Sequence, residues 1–304
     1  MQQQFSATDA ALSGFRLVRE HLKTVSIWAV LMTIASLIVS VATIKLAGPQ
    51  MAAMLELSAE PSGDPQATLK AMEGMGPLFL FSAVYSLVIY SILLAGVNRL
   101  VLRPQDSANA YLRIGAAELR QAAVLILVNL ILLAAYFGLV IVAGIVIGIG
   151  IAVGGAGAGV VLGALLFIGV LAAMVFLAVR LSFAGALTFD TGKVSIRDSW
   201  NLTKGRFWPL FGAYFVALVL AVVVYALLLV IIAVIGASLG GGISAMADAF
   251  NPDMSSLEAF FTPAGIVRTL FSGLLSILVL LIVFAPVPTI YAQLKGRDVS
   301  DTFG

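Results

Sequence analysis

Cysteine is absent from the 304 residues, histidine occurs once, and charged residues make up only 11% of the chain. Without cysteine there is no disulfide, no thiolate metal ligand, no thiol nucleophile and no site for palmitoyl or prenyl attachment. The single histidine, His21, excludes a zinc centre of the usual type, which takes several nitrogen or sulfur ligands. No metal or other cofactor is expected. A net charge of +2 offers no dense basic patch, so nucleic acid is not an expected partner. The scarcity of charge decides the class. A soluble domain has about 25% charged and roughly 45–50% apolar residues, whereas 61% of this chain is hydrophobic. Such a chain cannot cover a soluble globule with charge, and its wealth of Leu, Ile, Val and Phe excludes disorder. It reads as a polytopic membrane protein.

Apolar runs near 24–46, 77–101, 122–151, 158–180, 207–236 and 264–290 predict six transmembrane helices in a single all-α integral membrane domain. No charge occurs between Arg120 and Arg180. We divide that stretch at Gly154-Gly155-Ala156-Gly157-Ala158-Gly159 because it is too long for one span. Runs such as Val216–Val224 do not alternate, which disfavours a β-barrel. The polar segment 1–23 ahead of the first span does not have the form of a cleavable signal.

Of the 17 Lys and Arg residues, only Lys45, Lys70 and Arg268 fall in or beside the loops near 47–76 and 237–263. Those loops also carry Glu56, Glu60, Asp64, Glu73, Asp248, Asp253 and Glu258. The remaining cations lie in the amino-terminal segment, the 102–121 and 181–206 loops and the tail. The bias of cations toward the inner side places both termini in the cytoplasm, in a bacterial cytoplasmic membrane.

Each odd-numbered span follows a segment that reads as a short cytoplasmic amphipathic helix. In the first, Ala11, Phe15, Val18 and Leu22 recur at helical spacing after a capping pattern, Ser6-Ala7-Thr8-Asp9. The second starts at Asp106, with Leu112, Gly115 and Leu119 on one face. The third begins Ser195-Ile196-Arg197-Asp198 and contains Trp200, Lys204 and Arg206. The predicted bundle is therefore three hairpins, approximately 1–101, 102–180 and 181–304, each preceded by an interfacial helix. These segments either anchor the spans or form a collar for anionic lipid headgroups or a protein partner.

Polar residues within the spans are few, and none is an Asp or Glu in a span's core. Tyr136, Tyr214, Ser91, Ser272 and their kind suit interhelical packing. Asn98-Arg99 and Arg180 lie at the cytoplasmic ends of apolar helices. They either snorkel or, with Arg103, form a phosphate-binding notch. Gly154, Gly155, Gly157 and Gly159 read first as a tight turn and second as an oligomer contact. Pro286 and Pro288 predict a kink or an unwound last turn. No nucleophile elbow, His-Glu-x-x-His or Walker loop is present.

The stretch Ser199-Trp200-Asn201-Leu202-Thr203-Lys204-Gly205-Arg206-Phe207-Trp208-Pro209-Leu210 and the ending Ala285-Pro286 through Ile290-Tyr291-Ala292-Gln293-Leu294-Lys295-Gly296 resemble six-span bacterial membrane proteins. They are similar to the membrane domain that precedes the catalytic domain in some glycerophosphoryl diester phosphodiesterases. The resemblance implies a membrane module without its catalytic domain, and so no phosphodiesterase activity. The expected function is a non-enzymatic lipid-binding, scaffold or accessory protein, with membrane lipids, a protein or a second copy as partner. The alternative is a transporter or channel for a lipid-like or small hydrophobic solute.

Overall fold

A computed structural model describes residues 6–59, 65–238 and 252–297. The described residues form helices and turns, with no strand among them. Five helical stretches are long and apolar enough to cross a bilayer: Leu22–Met54, Gly76–Leu102, Ala108–Thr191, Phe207–Gly236 and Pro263–Leu294. They are compatible with a multi-pass membrane protein, because a helix satisfies its own backbone groups where no water can. Of the expected acidic loop residues, Glu60, Asp64 and Asp248 lie outside the described residues.

The chain opens with α1 (Ala7–Ala11) and α2 (Ser13–Glu20), which lead into α3 (Leu22–Ala59). Ser6 caps α1 by accepting from the Asp9 amide at 3.2 Å. Next come α4 (Pro65–Met72) and α5 (Gly76–Leu102). A 3₁₀ turn (Ala108–Tyr111) precedes the 66-residue α6 (Ala116–Leu181). The short α7 (Ala184–Thr191) and α8 (Ile196–Leu202) precede α9 (Phe207–Gly236). After α10 (Leu257–Phe260), α11 (Pro263–Phe284) and α12 (Pro286–Leu294) complete the described fold.

The centre of the bundle is α11, which packs against both α3 and α9. Gly273 permits the close crossing with α3, since any side chain there would run into the Ala29 carbonyl and Thr33. Leu17, Trp28, Val97, Leu100, Ile277 and Leu281 join α2, α3, α5 and α11 in one core. A second core at the same end joins Ala10, Phe183, Leu187, Leu210, Ile290 and Tyr291.

The interfacial helices differ from expectation. The α1–α2 segment is sunk into the bundle. Its buried positions are Ala10, Ala11, Ser13, Gly14 and Leu17, while Leu22 is exposed. Gly14 brings the α2 backbone onto that of Ile282, so of the expected row only Ala11 is fully buried, and Leu17 with the small Ser13 and Gly14 forms the inward face of α2. No amphipathic helix starts at Asp106. Asn109, Ala110 and Tyr111 have φ of 54°, 52° and 64°, and Leu119, expected on an apolar face, is 73% exposed. Glu118 is buried in its place.

The charge-free stretch is helical throughout except at Gly155, where φ is 73° and ψ is −175°. On either side the two limbs of α6 lie against each other, Gly150 against Leu162 and Gly159 against Ile151. Gly157, also expected in the turn, stays within helix and faces open space. The buried residues of α6 are Glu118, Gln121, Val124, Val179, Arg180 and Leu181 at its ends, and Gly159 near the turn. Between these points the residues of both limbs are exposed or half-buried. Pro286 and Pro288 do not unwind a turn. Ala285, between α11 and α12, keeps helical angles (φ −61°, ψ −31°), and both prolines lie in the first turn of α12, where proline is tolerated. The Ala285 carbonyl accepts from Thr289 Oγ1 at 2.8 Å.

Candidate headgroup site

The cations expected to form one notch separate into two clusters: Arg99 and Arg103 share the Phe189 ring, whereas Arg180 lies over Trp200 and Phe176. Arg99 is buried and donates to Glu118 Oε1 at 2.5 Å and to the Tyr111 carbonyl. The fold uses this arginine to hold the left-handed turn. Trp28 Nε1 donates to the Ala110 carbonyl at 2.8 Å, and Tyr111 Oη donates to the Pro104 carbonyl at 2.9 Å. Three bonds thus hold three residues in a conformation that costs each about 1–2 kcal/mol. Asn98 is buried beside Arg99 on α5. Sequence reasoning found Arg99 but missed Glu118, because an acidic residue at the start of a span reads as a solvated flank.

Phe189 connects this cluster to a second acid. Arg99 and Arg103 lie over its ring at 5.4 and 5.0 Å. The adjacent Asp190 accepts from Tyr291 Oη at 2.7 Å and from both Nη atoms of Arg297 at 2.9 Å. The hydrogen bond to Asp190 holds the Arg297 guanidinium above its ordinary pKa. These residues close α5, α7 and α12 together, with Glu118 paired to Arg99 and Asp190 to Arg297, while Arg103 rests on the Phe189 ring.

Arg180 has a different environment. It is 6% exposed, and its Nε has no hydrogen-bond partner. No carboxylate among the described residues pairs with it. Its guanidinium lies over Trp200 at 4.4 Å and Phe176 at 5.7 Å. The backbone beneath it is fixed, since the Arg180 carbonyl accepts from Ser199 Oγ at 3.0 Å and Thr203 Oγ1 at 3.3 Å. These two polar side chains form the buried face of the third amphipathic segment, opposite in character to the expected apolar one. Ser195 does not cap α8 with its side chain; it donates to the Lys193 carbonyl at 3.1 Å.

The outer side of this cluster is basic and aromatic. Arg197 lies three residues before Trp200 on α8, hence on one face, and Lys204 follows in the next turn; both are exposed. Arg206 donates to the Leu202 carbonyl at 3.1 Å. Phe176, Phe207, Trp208 and Phe211 continue the rings of the site along α9. Trp208 is 74% exposed, as amphipathic rings at a membrane interface are. Of the expected residues Arg180, Arg197, Trp200, Lys204 and Arg206, the structure brings Arg180 and Trp200 into contact, with Arg197 on α8 and Lys204 and Arg206 just after it. Sequence reasoning missed the short α7, and with it Phe189 and Asp190.

The polar residues of the spans mostly satisfy themselves. Ser91, Ser272 and Asn129 bond carbonyls of their own helices, and Tyr214 donates to Ser182 at 3.0 Å. Tyr136 instead faces a cavity of about 440 Å³ between the limbs of α6, shared with Val140, Gly144, Gly163, Phe167 and Val170. Among the described residues no cluster of His, Asp and Glu suits a metal ion. The likeness to the membrane domain of glycerophosphoryl diester phosphodiesterases rests on its two motifs alone, for no family profile, curated protein or solved structure matches the chain.

Proposed function

We propose that the chain is a non-enzymatic integral protein of a bacterial cytoplasmic membrane that holds anionic lipid headgroups at Arg180. In this reading α6 crosses twice, turning at Gly155, so six spans leave both termini inside. The observation that carries the reading is the Arg180 guanidinium: buried, without a carboxylate, and stacked on Trp200 and Phe176. A cation is expensive to bury unpaired, and a phosphate oxygen supplies the missing partner. Depth agrees. Arg180 lies about 37 Å along α6 from Gly155 at 1.5 Å per residue, beyond a hydrocarbon core of about 30 Å. Arg197, Lys204 and Arg206 add attraction for an anionic leaflet, about 1 kcal/mol for each residue near it.

The test is lipid retention by the full chain in mild detergent, read by native mass spectrometry against phosphatidylglycerol and phosphatidylethanolamine. Arg180→Gln is expected to reduce phosphatidylglycerol retention about fivefold or more. The triple variant Arg197→Gln, Lys204→Gln, Arg206→Gln should weaken it further. Equal retention by wild type and Arg180→Gln, both folded, sinks the proposal.

A further inference from the structure

The headgroup reading leaves the cavity between the limbs of α6 unexplained. Its volume is about 440 Å³, and its lining is apolar apart from the Tyr136 hydroxyl. Pockets of about 300–1,000 Å³ hold small molecules. Its lining residues all belong to the two limbs of α6. Gly144 and Gly163 both line it; open space surrounds Gly144, and the Ile147 side chain lies against Gly163.

Three relations tie the cavity to Arg180. Both are built on the second limb of α6. The lining from Met174 to Gly163 lies about 9 to 25 Å above Arg180 along the helix axis. This interval overlaps one leaflet of hydrocarbon, half of about 30 Å. Around the axis, Arg180 is about a quarter turn from Val170, so its charge flanks the mouth of the cleft. A single molecule with an anionic head and an apolar tail therefore meets both features at once.

Resting on the headgroup reading, we infer that the ligand is one phospholipid of the inner leaflet, with its phosphate at Arg180 and one acyl chain lodged between the limbs of α6. The two limbs act as a clasp on the chain, and Arg180 fixes its depth. A free phosphate engages only the arginine.

The test uses the full chain reconstituted with phosphatidylglycerol carrying a diazirine midway along one acyl chain. Cross-links are expected on peptides covering 136–147 and 163–174. Gly144→Phe puts a ring into the cleft from a position where no atom crowds the Cβ, and should reduce those cross-links about tenfold while phosphate-dependent retention persists. Cross-links spread evenly over α3, α5 and α9 and indifferent to Gly144→Phe overturn the clasp and leave the headgroup site intact. Retention unaffected by Arg180→Gln overturns the headgroup reading itself. A second measurement needs no variant: wild type should retain long-chain phosphatidylglycerol several-fold better than the dihexanoyl form. Equal retention of the two, or equal thermal protection by inorganic phosphate, makes this an anion site only and overturns the clasp.

Discussion

Arg99 and Arg180 look alike in the sequence, each a single cation ending an apolar run, yet their surroundings give them opposite roles. Arg99 is neutralised inside the fold by Glu118, with both side chains 5% exposed. Glu118→Gln strands a buried charge, and the expected cost is about 3–5 kcal/mol. A marked fall in unfolding temperature in detergent should follow. Replacing both residues by Met and Leu should recover more than half of the loss, and an unchanged temperature for Glu118→Gln refutes the assignment. Asp190 offers a contrast. Its partner Arg297 has a side chain 43% exposed, so water screens the pair, and Asp190→Asn should cost under about 1 kcal/mol in the same assay. The sequence could show that Arg99 needed a partner or an escape route. It could not show which acid would come, because the partner arrives through the turn at 109–111, whose backbone conformation no local pattern of residues announces.

Helices were legible where length and hydrophobicity alone decide, and illegible where packing partners decide. Spans near 77–101, 207–236 and 264–290 correspond closely to α5, α9 and α11 with α12. The helix of the first span, α3, extends well past its expected end at 46, carrying Pro49 within it. The short helices misled because an amphipathic pattern assumes that larger apolar residues face inward. In α2 the inward strip is Ser13, Gly14 and Leu17, chosen by the need to approach Ile282 closely. Gly14→Leu should therefore disrupt docking of α2 and lower thermal stability more than Phe15→Leu does. For α6 the decisive residue is Gly155, whose φ and ψ fall where essentially only glycine resides. Gly155→Leu is expected to cost about 1–3 kcal/mol in strain. Gly138→Leu, with open space around it, should cost far less. Equal stability of the two variants, read by thermal unfolding and column profile, removes the argument for a reversal at Gly155.

At the scale of the whole molecule, the cation bias makes the sharpest claim. Reporter fusions after Asp106 and after Lys193 should report the inner side, and a fusion after Asp253 the outer side. An outer signal at Lys193 defeats the six-span arrangement. Membrane class was legible from composition because the thermodynamics of a bilayer is coarse: about 20 apolar residues suffice to cross it. The candidate site was legible as a set of residues but not as a place. Phe176 and Arg180 are neighbours by helical spacing on α6, but only assembly brings Trp200 of α8 against them.

Burial of the α1–α2 segment sets a timetable for synthesis. Gly14 and Leu17 reach their seats only when Ile277, Leu281 and Ile282 exist to receive them. At about 5–20 residues per second, the ribosome adds those residues some 13–50 s later. Until then α2 is undocked and its backbone beside Arg16 is open to trypsin, and the early spans wait with an unfilled slot. Nascent chains stalled after Thr262 should be cleaved there, and chains released after Arg297 should resist. The slot is also a checkpoint: a chain that loses α11 keeps its amino-terminal segment in reach of the cell's proteases.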